Sequence, residues 1–317
     1  MSKNLKIVFY GTPEFATGIL KTLHSSSHEV VGVVTAPDKP AGRGRQLHQS
    51  DVKKYALEND LHLLQPTNLK SAEFTDELKT LKADLQVVVA FRMLPEVVWS
   101  MPSLGTFNLH ASLLPQYRGA APINWAIINK EEQTGVTTFF IDDKIDTGAI
   151  IDQMAIPIDE RENVGSLYVK LMELGANLSL KTVNDIANGN VTTRIQKDAA
   201  NLKDAPKLNA GNTVIDFSKS ATAVDAMVRG LNPFPVAKAM LNDGEDLIIK
   251  IYQTEIVDKT HSMEPGSIVI DDGKFLVACG ENMLELVELQ FPNKKRMKSA
   301  DLLNGYQFTA DARFGKG

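Results

Sequence analysis

Short runs of β-branched and aromatic residues alternate with helical patterns through the first half of the chain. Lys6–Tyr10 (KIVFY) reads as a buried strand, and Gly11-Thr12-Pro13 turns the chain into a helix over Glu14–Leu23. Val30–Thr35 reads as a second strand. Ser50 is placed to cap a helix over Val52–Glu58, and His62–Leu64 is a brief third strand. A helix over Ala72–Leu81 follows, and Leu85–Phe91 (LQVVVAF) is the most apolar strand of the series. Strands separated by helices in this rhythm predict βαβ units in a doubly wound, mostly parallel α/β sheet. Sites in such sheets lie beyond the carboxyl ends of the strands.

After Gly105 the rhythm changes. Thr106–His110, Val136–Ile141 and Ile150–Ile158 are strand-like with short connections, and a long helix is expected from Val164 to Ala187, ended by Asn188-Gly189-Asn190. Thr192–Leu208 is polar, weakly periodic and reads as a linker. Beyond Gly211 one helical stretch, Ala221–Arg229, precedes Asn232-Pro-Phe-Pro235. Five short strands follow, over Ala237–Leu241, Leu247–Tyr252, Gly266–Ile270, Lys274–Ala278 and Met283–Leu289. Five short strands with turn residues between them predict a small OB-like β-barrel. The expected organisation is therefore a catalytic α/β domain over 1–190, a linker over 191–208 and a barrel domain over 209–317.

Composition changes this picture little. With 317 residues, 43% hydrophobic and 23% charged, the chain has a globular profile and length for two domains. A single Cys excludes an internal disulfide and a multi-thiolate zinc site. No run approaches the ~18 apolar residues of a membrane span, so a soluble, cytoplasmic protein with no membrane partner is expected. The net charge of −5 gives no indication of nucleic acid, although a whole-chain total can hide a local basic face.

Candidate chemistry concentrates in Thr106-Phe-Asn108-Leu-His110-Ala-Ser112-Leu-Leu-Pro115-Gln-Tyr117-Arg118-Gly119. Residues two apart on a strand share a face, so Asn108, His110 and Ser112 are expected to point the same way. Three polar groups on one face of an apolar strand are costly unless paired, which fits either a site or a satisfied polar cluster at a strand end. The second element is Ile145-Asp146-Thr147-Gly148, on a turn between two strand-like runs. Its carboxylate could orient His110, although Asp-Thr-Gly is also ordinary turn chemistry.

Together, the HxSLLPxYRG stretch and the following IDTG resemble the formyltransferases that use 10-formyltetrahydrofolate. Gly11-Thr-Pro13-Glu-Phe15, the loop Pro37-Asp-Lys-Pro-Ala-Gly-Arg43-Gly44, Gly119-Ala-Ala-Pro122 and Asn232-Pro-Phe-Pro235 are similar to the branch whose acceptor is methionyl-tRNA, from about Lys6 to Leu303. The resemblance implies a formyltransferase fold, no metal, a catalytic set of Asn108, His110 and Asp146, and initiator methionyl-tRNA as partner of a monomeric enzyme. It also implies a folate site drawn from Val89, Ala90, Phe91 and Leu94 with Ser112, Leu113, Leu114 and Pro115. The pteridine would lie along Val87–Pro95 and around Ile141–Asp146. The chain departs from the family's usual pattern at Phe91–Pro95, a loop one residue shorter, with Arg92 where Gly is common.

The residue types suit the chemistry. A free α-amine titrates at about 7.7–8.0, and the amine of an aminoacyl ester lower, so the nucleophile is largely neutral at pH 7. Its attack on the formyl carbon builds an oxyanion that the Asn108 amide and His110 imidazole could stabilise, each fixed donor being worth roughly 10²–10³ in rate. His110 coupled to Asp146 could move the amine proton toward the departing folate nitrogen, worth about 10²–10⁴.

Charge supplies the acceptor side. Lys39, Arg43 and Arg45 lie among Pro and Gly in one loop, and Lys294-Lys295-Arg296 begins the densest basic run. The first fits either a phosphate-seeking loop or a solvated one, and the second either a nucleic-acid patch or a solvated face. The resemblance implies that both contact tRNA, with Arg43 foremost. Acceptors left open are an amino-sugar nucleotide, glycinamide ribonucleotide, or water in a hydrolase; a non-catalytic binding module is the alternative of another class.

Overall fold

The computed structural model describes residues 4–41, 46–197 and 201–315. The first elements are β1 (Lys6–Gly11), α1 (Glu14–His24), β2 (Glu29–Val34) and a hairpin of β3 (Lys39–Ala41) and β4 (Gln46–His48). Next come α2 (Asp51–Glu58), β5 (Leu63–Leu64), α3 (Ala72–Thr80), β6 (Leu85–Val89), α4 (Glu96–Trp99), β7 (Thr106–His110) and β8 (Arg118–Gly119). The middle of the chain holds α5 (Pro122–Ile128), β9 (Gln133–Phe140), β10 (Ile150–Pro157), α6 (Val164–Ala187) and β11 (Asp204–Ala205). The remainder is α7 (Ala221–Leu231), β12 (Ala237–Asn242), β13 (Asp246–Val257), β14 (Ile268–Asp271), β15 (Lys274–Ala278), β16 (Met283–Gln290), β17 (Met297–Lys298), α8 (Ser299–Leu303) and β18 (Arg313–Phe314).

The main α/β sheet has the order β10-β9-β7-β6-β1-β2-β5. Its pairings β5–β2, β2–β1, β1–β6 and β6–β7 are parallel, and β7–β9 is antiparallel. Every residue of β6 is buried, as expected of a strand covered on both faces; its one polar member, Gln86, accepts from the Thr106 hydroxyl. Side-chain caps start the helices where the sequence placed them: the Ser50 hydroxyl accepts from Lys53 N and that of Ser71 from Phe74 N. The chain therefore leaves β1, β6 and β7 at one edge of the sheet, with Gly11, Val89 and His110 as their last residues.

The second sheet is antiparallel and runs β14-β15-β16-β13-β12-β18, with β17 beside β16. It closes on itself: Phe314 N donates to Gly266 O at 2.9 Å and Ser267 bridges Arg313, joining the β18 end to the β14 end. This is a barrel. The five strands anticipated are present, and the two-residue β18 supplies the closure. Phe217, Phe275, Leu284, Leu286 and Phe314 lie in its core, together with Val224 and Val228 of α7.

The chain divides into two compact units that interleave in sequence. One comprises Met1–Gly119, Thr134–Ile156 and Tyr168–Asp204; the other Ala120–Gln133, Pro157–Leu167 and Ala205–Gly317. Helix α5 thus packs with α7, and the stretch 157–167 is held by Asp225 of α7, which accepts from Arg161. The polar stretch read as a linker also has defined partners. Ile150 and Arg194 exchange both backbone hydrogen bonds, at 2.8 and 2.9 Å. A segment that pairs in this way carries no periodic signal, which is why it reads as a linker in sequence.

Candidate active site

The site is built at the carboxyl end of β7. Asn108 is the one residue of that strand not buried, and among the described residues no protein hydrogen bond to its amide is found. His110, two residues on and so on the same face, is only 7% exposed. Its Nε2 lies 2.8 Å from the carbonyl oxygen of Tyr117, which can only accept, so Nε2 carries the proton. Nδ1 faces Asp146 Oδ2 at 3.8 Å. That carboxylate oxygen also accepts from the Gly119 N–H at 3.0 Å.

Backbone geometry aims each of these groups. Tyr117 (φ 61°) and Asp146 (φ 56°) both hold the left-handed conformation, uncommon for residues with a Cβ and sustained only where the surroundings enforce it. At Gly148 a Cβ would lie 1.7 Å from the Phe140 carbonyl oxygen, so only glycine lets the Asp-Thr-Gly turn press against β9. The turn is further tied by Thr147 Oγ1, which donates to the Asp142 carboxylate at 2.8 Å.

The segment after His110 is equally constrained. Ser112 is completely buried and its hydroxyl donates to Gln116 O at 2.6 Å, while Thr137 Oγ1 donates to Ser112 O at 2.6 Å. Ser112 therefore braces the turn that follows β7. Val89 is fully buried as part of the sheet. Leu94 and Leu114 are buried, the latter against Phe139 and Ile150. Ala90 is exposed, with φ 47°, and Phe91, Leu113 and Pro115 are half-buried. Phe91 packs against Tyr10 at 5.7 Å between ring centroids.

Beside the Phe91–Pro95 loop is an open groove of about 760 Å³ whose walls include Lys70, Arg92, Met93, Leu94 and Val97. Arg92 donates to Pro66 O at 2.5 Å and Thr67 O at 3.1 Å, so it joins two loops of the groove wall.

The basic candidates separate into two groups. Lys39 is exposed at the start of the β3–β4 hairpin, whose base is anchored by Asp38: its carboxylate accepts from Lys53 Nζ at 2.6 Å and from Gln65. These bonds hold the Asp38 carboxyl below the usual carboxylate range. Arg43 and Arg45 lie outside the described residues. Lys294, Lys295 and Arg296 are all exposed; Arg296 is also paired with Glu288 and lies over the Tyr252 ring at 4.3 Å. Among the described residues no group of three or more His, Cys, Asp or Glu is arranged to hold a metal ion, and no helix is long and apolar enough to cross a membrane.

One participant escaped the sequence reading. Gln196, in the stretch read as a linker, donates from Nε2 to Asp146 O at 2.9 Å and to Gly148 O at 2.8 Å. Its Oε1 accepts from Arg118. No motif surrounds it, and only the fold brings it to the site.

Comparison with known proteins decides the family. Residues 5–183 match the formyl transferase family and residues 207–307 the formyl transferase C-terminal domain. The chain belongs to the formyl transferase family. Among the relatives of this formyl transferase is the methionyl-tRNA formyltransferase of Flavobacterium johnsoniae, 54% identical over 312 residues, 98% of this chain and 99% of that protein. The methionyl-tRNA formyltransferase of Bacteroides fragilis is 50% identical, covering 97% of each chain. Solved structures share the fold at low identity. An N-formyltransferase from Helicobacter canadensis, in complex with folinic acid and dTDP-3-aminofucose, has a TM-score of 0.64 at 20% identity, covering 91% of this formyl transferase and all of that chain. HypX from Aquifex aeolicus, in complex with tetrahydrofolic acid, has a TM-score of 0.63 at 16% identity, covering 95% of this chain and 47% of HypX.

Proposed function

We propose that this formyl transferase moves the formyl group of 10-formyltetrahydrofolate to the α-amine of methionyl-initiator tRNA, preparing it for translation initiation. The observation that carries the reaction class is the meeting of Asn108, His110 and Asp146 at the carboxyl edge of the parallel sheet. The acceptor follows from end-to-end similarity to proteins named methionyl-tRNA formyltransferase. A cytoplasmic, monomeric enzyme that needs no metal completes the reading, with the α/β unit as its catalytic part and the barrel unit as its tRNA-holding part.

The roles follow from the geometry. The folate supplies an activated formyl carbon and a nitrogen leaving group. The Asn108 amide, with no partner among the described residues, is available to donate to the formyl oxygen as charge gathers there, and does so without reorganisation. His110 has its Nε2 proton on the Tyr117 carbonyl and its Nδ1 toward Asp146, so a carboxylate lies beside the ring when it takes up the amine proton. The groove beside Phe91–Pro95 pairs apolar Met93 and Val97 with Lys70 and Arg92, the combination suited to an aromatic folate tail ending in carboxylates. Exposed Lys39, with Arg43 and Arg45, and exposed Lys294, Lys295 and Arg296 are assigned to the tRNA backbone.

The test is a formyl-transfer assay with 10-formyltetrahydrofolate as donor and three acceptors: methionylated initiator tRNA, methionylated elongator tRNA and a dTDP-amino sugar. Transfer to the initiator tRNA in strong preference to the others is expected; transfer only to the sugar nucleotide overturns the acceptor assignment.

A further inference from the structure

We infer that Gln196 is a positioning residue for catalysis, holding Asp146 in the conformation that faces His110. The role deepens the proton-transfer reading above and rests on it. Gln196 lies between the two stretches that match the family, 5–183 and 207–307, in a segment without helix or strand pattern.

Its amide is saturated by partners of only one kind at each end. The oxygen accepts from Arg118 Nε at 3.1 Å and Nη2 at 2.7 Å, both obligate donors. The NH₂ group donates to Asp146 O and Gly148 O, both obligate acceptors. A reversed amide would set donor against donor and acceptor against acceptor, so the orientation is determined. The side chain is 9% exposed, and its register is set by the paired Ile150 and Arg194 backbones two residues before it.

The consequence falls on Asp146. Its backbone is in the left-handed region, and no hydrogen bond within the turn holds its carbonyl there; Gln196 does. The same side chain grips Arg118, whose neighbour Gly119 donates to the Asp146 carboxylate. One residue thus fixes both the backbone that carries the carboxylate and the strand end that receives it. The other partner of His110 is held from the same segment, because Tyr117 N donates to Lys203 O at 2.6 Å and Lys203 N donates to Gln116 Oε1 at 2.8 Å. The stretch after α6 therefore acts as a brace behind the catalytic histidine.

Two substitutions separate positioning from mere support. Gln196→Met removes all four bonds at similar volume. Gln196→Glu keeps the shape and the Arg118 contact but sets a carboxylate against the carbonyls of Asp146 and Gly148. Both are expected to lower kcat about ten- to hundred-fold, the scale of a misplaced catalytic group. KM for 10-formyltetrahydrofolate is expected to stay within about twofold, and in an Asp146→Asn background either change should cost about twofold or less, because the group being positioned is already gone. The kcat–pH profile of Gln196→Glu should approach that of Asp146→Asn. Wild-type kcat in Gln196→Glu, or a full additional loss in the Asp146→Asn background, overturns the role. Should Asp146→Asn itself turn over like wild type, the proton-transfer reading fails first and the role with it. Reduced turnover in Asp146→Asn beside unchanged Gln196→Met would remove Gln196 alone.

Discussion

At the residue scale the site works by division of labour among side chains that differ in how strongly the protein holds them. Among the described residues no side-chain partner of Asn108 is found, His110 has one on each ring nitrogen, and the Ser112 hydroxyl is bonded within its own turn. The alternation of a strand places Asn108 and His110 on one face. It does not extend to Ser112, because β7 ends at His110 and the chain bends immediately afterwards. Substitution should follow this division. His110→Ala is expected to lower kcat at least about 10²-fold and Asn108→Ala about 10²–10³-fold, with folate binding largely retained in both. Single-turnover transfer, measured beside fluorescence titration with a non-reactive folate, reads the two effects separately. Turnover of His110→Ala within twofold of wild type would remove the imidazole from the mechanism.

At the element scale, what the hydrophobic pattern predicts and what it misses divide along a physical line. β1, β2, β6, β7, α1, α6 and α7 appear within a residue or two of their expected ends, because each has a full apolar face to bury. α4, α5, α8, β17 and β18 carry too few residues to show a period. The last of these matters most, since β18 closes the barrel. The chain leading to it is fastened by Asp243, whose Oδ1 accepts from Thr309 N and Oγ1 and whose Oδ2 accepts from the Tyr306 hydroxyl at 2.6 Å. Burial, then the bond to Asp243, pushes the Tyr306 hydroxyl up to about 12. A raised folded-state value means that this contribution is complete below the unfolded tyrosine value near 10 and is lost as pH rises through about 12. Urea unfolding of wild type should accordingly show an added loss of stability between pH 10 and pH 12 that is reduced in Tyr306→Phe. Parallel curves for the two proteins across that range would refute the assignment.

At the scale of the whole molecule, organisation departs most from a reading in chain order. A cut near residue 191 assigns α5 and 157–167 to the catalytic part, yet both pack with the barrel unit. Asp225, 1% exposed, is the clearest reason: it accepts from Arg161, Arg229 and Thr254, and Arg229 in turn donates to Glu162 O. Removing that carboxylate takes the charged partner from the largely buried Arg229 guanidinium, whereas Arg161 is half-exposed and keeps Thr254 O. Asp225→Ala should destabilise the barrel unit by about 3–5 kcal/mol, seen as a lower denaturation midpoint, and a shift within error of zero would show the network to be incidental. Net charge is likewise a poor guide at this scale. A total of −5 coexists with exposed Lys39, Lys294 and Lys295, and local distribution governs contact with a polyanion.

The sequence by itself determined the alternation of strands and helices, the barrel that follows, the family, and Asn108, His110 and Asp146 as the residues to examine. These rest on periodicity and on motifs whose members lie within a few positions of one another. Only the tertiary structure decided the partners of each ring nitrogen of His110, the burial of Ser112, the pairing of Arg296 with Glu288 and the place of Gln196. Gln196 reaches Asp146 across 50 positions and Arg118 across 78. Hydrogen bonds between irregular segments impose no repeat on the residues that make them, so such contacts become visible only when the chain has folded.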